Sequence, residues 1–228
     1  MISHQRSETG KRPNNEDYVK AVKVGNFKVF AIADGMGGEN SGEVASKLAV
    51  ETFCDFLSDK LTDSLNDKEI EEMVTNAYQL SNKSIVKYCA DNGLRESDMG
   101  TTLTCLISRE RKLYVAHIGD TRAYLKHGSA LTRLTSDHVN PANSNELVKY
   151  LGINSFIYPD FYSYNIIYGD LIMICTDGVY KHLSDTKIVE CLKIHNDLEG
   201  CLDKLFEAAY MAGTEDNVTA LLANIRPV

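Results

Sequence analysis

Four short acidic clusters lie far apart along the chain: Asn15-Glu16-Asp17, Asp34-Gly35-Met36-Gly37-Gly38, Thr176-Asp177-Gly178 and Glu215-Asp216-Asn217. At least three of them stand where an expected strand gives way to a turn. Carboxylates delivered to one place by separate strands repel each other, so a fold that gathers them needs a cation between them. Hard oxygen donors select magnesium or manganese over zinc. The apolar stretch 27–33 runs directly into Asp34, and Gly35 lets the backbone turn there so that Asp34 and the following carbonyl can face one cation. Gly37 and Gly38 permit close backbone approach. The same construction recurs at 171–176, an apolar strand that delivers Asp177-Gly178, and Asp216 precedes the last strand. Any one Asp-Gly after a strand reads as a turn, and Glu16-Asp17 alone as a solvated pair. Their joint occurrence suggests a single site.

The elements that must position these acids follow from hydrophobic periodicity. Residues 17–24 and 27–33 read as two strands of a hairpin joined at Gly25-Asn26. From 41 to 57 the positions Val44, Ala45, Leu48, Ala49, Thr52, Phe53 and Phe56 recur at helical spacing, and a second helix spans 67–89 with Ile70, Met73, Val74, Ala77, Leu80 and Ile85 near one face. Strands at 101–108, 113–118 and 123–126 read as a β-meander. A short helix at 145–151, strands at 163–168 and 170–176, helices at 185–194 and 199–211, and a closing strand at 217–225 complete the reading. Tight turns between consecutive strands make them antiparallel, so the expected class is α+β, an antiparallel sheet layer covered by helices.

Composition narrows the function. A chain of 228 residues with 43% hydrophobic content can bury a full core, and no linker divides it, which suggests one domain over 1–228. The net charge of −8 argues against a nucleic-acid partner, because phosphate backbones reward clustered Lys and Arg. Nothing approaches ~18 consecutive apolar residues and no signal segment opens the chain, so a cytoplasmic protein away from membranes is expected. The six cysteines have no CxxC pairing and sit mostly among apolar neighbours, as reduced buried thiols would; the histidines are scattered, and zinc is not indicated. Residues 35–42 lack the GxxxxGK[ST] run of a phosphate-binding loop.

Seven ordered motifs, Arg12-Pro13-Asn14-Asn15-Glu16-Asp17, Ala33-Asp34-Gly35-Met36-Gly37-Gly38, Gly100-Thr101-Thr102, Gly119-Asp120-Thr121-Arg122, Leu134-Thr135-Ser136-Asp137-His138, Thr176-Asp177-Gly178 and Asp216-Asn217-Val218-Thr219, span nearly the whole chain. In them the sequence resembles the PP2C-type metal-dependent protein phosphatases, most closely their bacterial branch. The resemblance implies a β-sandwich of two antiparallel sheets flanked by α-helices, in four layers α-β-β-α, with two Mn2+ or Mg2+ ions at one end. On this pattern Asp34 bridges the metals, Gly35 offers its carbonyl, and Asp177 and Asp216 are further ligands. Asp17 binds directly or through water, Glu16 is a weaker candidate, and Arg12 grips the substrate phosphate with its planar fork. Asp120 carries two readings: a ligand for a third metal shared with Asp177, or a turn cap with Arg122 paired to a nearby acid. Thr101, Thr102 and His138 are expected to support the fold, and Cys175, without a His partner, to be structural.

The implied reaction is hydrolysis of phosphoserine and phosphothreonine on proteins by a metal-activated water, without a side-chain nucleophile, by a monomer that opposes a bacterial Ser/Thr kinase. The other reading is a PP2C-like sensor or binding module with little hydrolysis. Three departures stand out. Thr121 replaces the usual Ser, Met36 takes the place of a His able to protonate the leaving group, and the stretch between His138 and Asn145-Glu146-Leu147 is short for the flap beside the site.

Overall fold

In the computed structural model, which describes residues 1–37, 41–95, 98–193 and 197–225, the chain runs β1 (Ile2–Glu8), β2 (Asp17–Val24), β3 (Phe27–Gly37), α1 (Gly42–Lys60), α2 (Asp67–Asp91), β4 (Met99–Thr101), β5 (Leu103–Arg109), β6 (Lys112–Ile118), β7 (Arg122–His127), β8 (Ala130–Arg133), β9 (Val139–Asn140), β10 (Asn143–Leu147), β11 (Asp160–Asn165), β12 (Leu171–Cys175), α3 (Asp177–Tyr180), α4 (Asp185–Cys191), α5 (Leu198–Met211) and β13 (Val218–Asn224). Gly38 and the expected end of the 185–194 helix at Ile194 lie outside the described residues. The strands form one sheet in the order β1-β13-β12-β7-β8 and another in the order β11-β6-β5-β3-β2, with β4 added to β3. The pairings in both are antiparallel.

Period-two alternation explains how these sheets stack. Along β3, Phe30 and Ile32 point into the space between the sheets and meet Ile172 and Ile174 of β12 and Leu221 and Ala223 of β13. The intervening Val29, Ala31 and Ala33 turn outward onto Ala49 and Phe53 of α1 and Val74 and Tyr78 of α2. The opposite face of the other sheet, with Met173, Cys175 and Leu222, is covered by Leu202, Leu205 and Phe206 of α5. Three buried clusters therefore separate four layers, α-β-β-α, as expected. The β2–β3 hairpin falls where the sequence puts it, and α2 begins at a capping box in which Asn66 accepts from the Glu69 N–H while the Glu69 side chain accepts from that of Asn66. All six cysteines are free and buried. Among the described residues no helix is long and apolar enough to cross a membrane.

Several expectations are corrected. The meander fails at its third strand: β5 and β6 pair, but β7 pairs with β12 and β8 in the other sheet. The crossing is made by Gly119 at φ +107, whose N–H donates to His138 Nδ1 at 3.1 Å and whose carbonyl accepts from the His138 N–H at 2.8 Å. The expected helix at 145–151 is instead the second strand of the β9–β10 hairpin followed by a bridge, in which Leu151 and Thr101 exchange both backbone hydrogen bonds at 2.8 and 3.0 Å. That tertiary pairing outweighs the apolar spacing of Leu147, Val148 and Leu151, and Val148 is left 62% exposed. The strand expected at 101–108 is broken at Thr102, and the one at 163–168 begins earlier, at Asp160 opposite His117. β1, β8 and the four-residue α3 had no signal: β1 reads ISHQRSE, with little apolar alternation, and survives by pairing with β13 along its whole length.

Gly119 is irreplaceable where the chain crosses between sheets, since a Cβ there would lie 2.4 Å from Thr102 Cγ2 in a backbone conformation that side chains disfavour. Gly119→Ala is expected to lower stability by about 1–3 kcal/mol, read as a lower urea midpoint at unchanged slope; an unchanged midpoint would contradict this account of the crossing.

Candidate active site

The same alternation that fills the inter-sheet core with Phe30 and Ile32 puts Asp34, two residues further along β3, at its end. Asp17 stands directly opposite, its register partner in β2. From the facing sheet, Thr176 continues the Ile172–Ile174 row and Thr219 the Ala223–Leu221 row, both fully buried. Thr176 donates its hydroxyl to Asp17 Oδ2 at 2.9 Å and accepts the Thr219 N–H at 3.2 Å. The hydrophobic core thus ends in a polar rim made by the first or last inward-facing residues of four strands.

Backbone contacts lock Asp34 in place. Its N–H donates to Thr102 Oγ1 at 2.8 Å, and its carbonyl accepts from the Thr102 N–H and the Thr101 hydroxyl, both at 2.9 Å. This is the break at Thr102 seen from the other side: β4 and β5 hold Asp34 between them. The backbone does not turn at Gly35, as the sequence suggested. Strand β3 runs on to Gly37, and Gly35 is required because a Cβ would lie 2.0 Å from the Gly42 carbonyl oxygen and 2.8 Å from that of Glu16. Its N–H donates to the Glu16 carbonyl at 3.0 Å.

Asn217 ties the loop between β1 and β2 to the start of β13. Its side chain accepts from the Glu16 N–H at 2.8 Å and donates to the carbonyls of Thr9 and Asn14 at 2.8 and 2.9 Å. On that loop Arg12 reaches Asp216 Oδ2 at 2.9 Å, with its side chain 56% exposed. Across the cleft, Lys181 donates to Asp177 Oδ2 at 2.7 Å and to Asn145 Oδ1 at 3.2 Å. Asp120, delivered by the Gly119 crossing, accepts the Tyr180 hydroxyl at 3.2 Å. Arg122 forks onto Asp137 at 3.0 and 2.6 Å and lies 3.6 Å over the Tyr180 ring. The pairing of Arg122 with a nearby acid, one part of the second reading of Asp120, is therefore present.

One cleft of about 550 Å³ brings together Arg12, Glu16, Asp34, Gly35, Asp120, Asp177 and Asp216, with Met36, Asn145 and Lys181 on its walls. Asp17 lies behind them, 6% exposed. A larger cavity of about 660 Å³ between α4 and α5 gathers no comparable set of acids. Burial first, and repulsion from Asp17, Asp177, Asp120 and Asp216 after it, pushes Asp34 well above the ordinary carboxylate range. Burial raises Asp17 to about 7 against the opposing hydrogen bond of Thr176, and raises Asp120 to about 6, with Asp177 adding to it. Glu16 is raised by burial as well. Asp17 Oδ1 is buried without any hydrogen-bond partner.

Such a donor set fits hard divalent cations: it is all oxygen, Arg12 and Lys181 compensate only part of its charge, and one buried oxygen has nothing to bond. Among the described residues no three acids, histidines or cysteines already close around one point, and Arg12 and Lys181 are paired with Asp216 and Asp177. Cys175 is no nucleophile, since burial pushes its thiol above the usual range. Sequence reasoning gave no role to Lys181, Asn145, Tyr180 or Asn217. Asn217 had a signal, its place in the acidic cluster Glu215-Asp216-Asn217; Lys181 and Asn145 are polar surface residues whose meeting depends on the β9–β10 hairpin.

A family model for protein phosphatase 2C matches residues 4–223. The chain is 30% identical to the serine/threonine phosphatase stp of Listeria monocytogenes, over 97% of this chain and 90% of that one. It superimposes on the crystal structure of the Mycobacterium tuberculosis serine/threonine phosphatase PstP/Ppp with a TM-score of 0.87 at 28% identity, covering 99% of each chain. The catalytic domain of PstP in complex with two manganese ions is similar at TM-score 0.85 and 29% identity, with 99% of this chain and 98% of that one covered. Sequence and architecture agree from the first strand to the last, and the chain belongs to the protein phosphatase 2C family.

Proposed function

We propose that this chain is a metal-dependent protein serine/threonine phosphatase, one catalytic domain over residues 1–228, and that its substrates are phosphoproteins, among them a bacterial Ser/Thr kinase. The observation that carries the reading is the buried, unpartnered Asp17 Oδ1 beside the raised Asp34 carboxylate at the floor of an acidic cleft. Its family membership and the named activity of its relatives support the same conclusion. Asp17, Asp34, Asp177 and Asp216, with the Gly35 carbonyl, are the groups that would hold two Mn2+ or Mg2+ ions, as PstP holds two manganese ions. Bound there, the ions supply an activated water and neutralise charge on the phosphoryl oxygens.

The rest falls to the protein's own residues. Arg12 is more than half exposed, and its ion pair with Asp216 is a surface pair that is weak to begin with. It can therefore leave that carboxylate for the phosphoryl oxygens of a substrate, to which its fork presents two parallel donors. Asn217 keeps the Arg12 loop in register with the acids, and Thr101 and Thr102 keep Asp34 from relaxing away from Asp17. Met36 lines the cleft but has no proton to give, so the proton for the departing alkoxide must come from another donor. A silent binding module is not favoured, because Arg12, Asp34, Asp177 and Asp216 all line one cleft with Asp17 behind them.

The deciding experiment measures release of phosphate from a phosphothreonine peptide with Mn2+ and with chelator; turnover that survives the chelator rejects the reading. Asp34→Asn and Asp177→Asn are each expected to lower kcat/KM by roughly 10³-fold, the equivalent of several kcal/mol, and wild-type kinetics in either would sink the assignment. Arg12→Ala is expected to raise KM for the phosphopeptide roughly tenfold with a smaller effect on kcat, in keeping with loss of a charge-assisted bidentate contact; an unchanged KM would remove Arg12 from substrate capture. Asp17 titrates near 7 in the fold and near 4 when unfolded. The folded state thus holds the proton more tightly, and the chelated protein loses this contribution to stability as pH rises from about 4 to about 7. Added Mn2+ is expected to raise Tm more at pH 8 than at pH 5.5, and a smaller rise at pH 8 would contradict the site.

A further inference from the structure

Lys181 is the one side chain that brings a positive charge to the Asp120 side of the cleft among the described residues lining it. It follows α3 directly, and its N–H donates to the Asp177 carbonyl at 3.0 Å, so backbone and ammonium are both anchored on Asp177. The side chain is 33% exposed and Asp177 only 17%. Around the ammonium stand Asp177 Oδ2 at 2.7 Å and Asn145 Oδ1 at 3.2 Å, while Asp120, within electrostatic reach, is steadied by the Tyr180 hydroxyl at 3.2 Å. Asn145 is itself set in place by its N–H, which donates to Asn143 Oδ1 at 3.2 Å.

Two carboxylates and an amide carbonyl on one wall of the cleft are the kind of oxygen donors a hard divalent cation takes. Here an ammonium stands among them, tethered at one end and so present at a fixed, high local concentration. A lysine in this position has three donors for its oxygen neighbours and cannot diffuse away, whereas an ion must displace it and shed its own water. We infer that Lys181 is the resident cation of this corner, excluding a further divalent ion from Asp120, Asp177 and Asn145 and holding the centre at two metals. This rests on the dinuclear reading given above, and it favours the structural role of Asp120 over a metal-binding one.

The test is Mn2+ binding stoichiometry on the full chain, by equilibrium dialysis and by the electron paramagnetic resonance of free Mn2+, with circular dichroism to establish that each variant is folded. Wild type and Lys181→Arg are expected to bind two equivalents, Lys181→Gln three, and the double variant Lys181→Gln/Asp120→Asn two again. Lys181→Met, close to lysine in length and uncharged, serves as the second variant and is also expected to bind three. Two equivalents in both uncharged variants, or three in wild type, would overturn the inference while leaving the dinuclear phosphatase intact. Wild type that binds no Mn2+ would overturn the phosphatase reading itself, and the inference with it.

Discussion

Asp17 and Asp34 face each other as register partners across two antiparallel strands, and their mutual repulsion is the constraint around which the molecule is organised. Like charges directly opposite in a sheet destabilise it, and burial at the end of a hydrophobic core makes the conflict worse. Nothing in the β2–β3 hairpin itself relieves it. What relief there is comes from outside the pair, from the Thr176 hydroxyl on one Asp17 oxygen; the Thr101 and Thr102 contacts pin the Asp34 backbone against the repulsion, and the other Asp17 oxygen is left without a partner. A fold that kept such a pair for stability alone would have replaced it with Val or Ile, as it did two residues earlier and later along the same faces. The strain is tolerated because of what the two acids do together.

Packing two sheets face to face explains why the acids arrive together at all. The inner rows of β3, β12 and β13 are apolar through the middle of the sandwich and change to Asp34, Thr176 and Thr219 at one end, so a single alternation rule supplies both the core and the floor of the cleft. The remaining groups come from connections at that end: the loop bearing Arg12 and Glu16, the Gly119 crossing bearing Asp120, and α3 with Asp177. A rigid scaffold with chemistry on its connecting segments is the usual division of labour. Its consequence here is that the polar rim depends on a few cross-ties, of which Asn217, with bonds to Glu16, Thr9 and Asn14, is the most connected.

How much of this was legible in the sequence varied with the range of the interaction involved. The β2–β3 hairpin and the long helices were readable because apolar periodicity and a local turn or cap encode them. The acidic clusters were readable as candidates for one cleft because at least three of the four stand at expected strand ends. Strand β1 was invisible, since its residues are mostly polar and its order comes from β13, more than two hundred residues away. The crossing of β7 into the second sheet and the β9–β10 hairpin were misread for the same reason: Gly119 and Leu151 are set by partners distant in sequence, Thr102 and Thr101. Gly35 was singled out correctly as a glycine but for the wrong cause, crowding by Gly42 rather than a turn. Lys181 and Asn145 could not be read at all, because neither has meaning until the hairpin brings one to the other.

The tie made by Asn217 also says something about how the molecule comes into being. It joins residues whose separation is 203 and 208 positions, and β1 is likewise completed only by β13. Contacts of such range form late, after the entropy of closing a very long loop has been met. On the ribosome, the first strand and the arginine loop must wait for Asn217 and β13 to emerge before the cleft can assemble. A nascent chain is therefore inert until β13 has emerged, and hydrolytic capacity switches on with its pairing to β1.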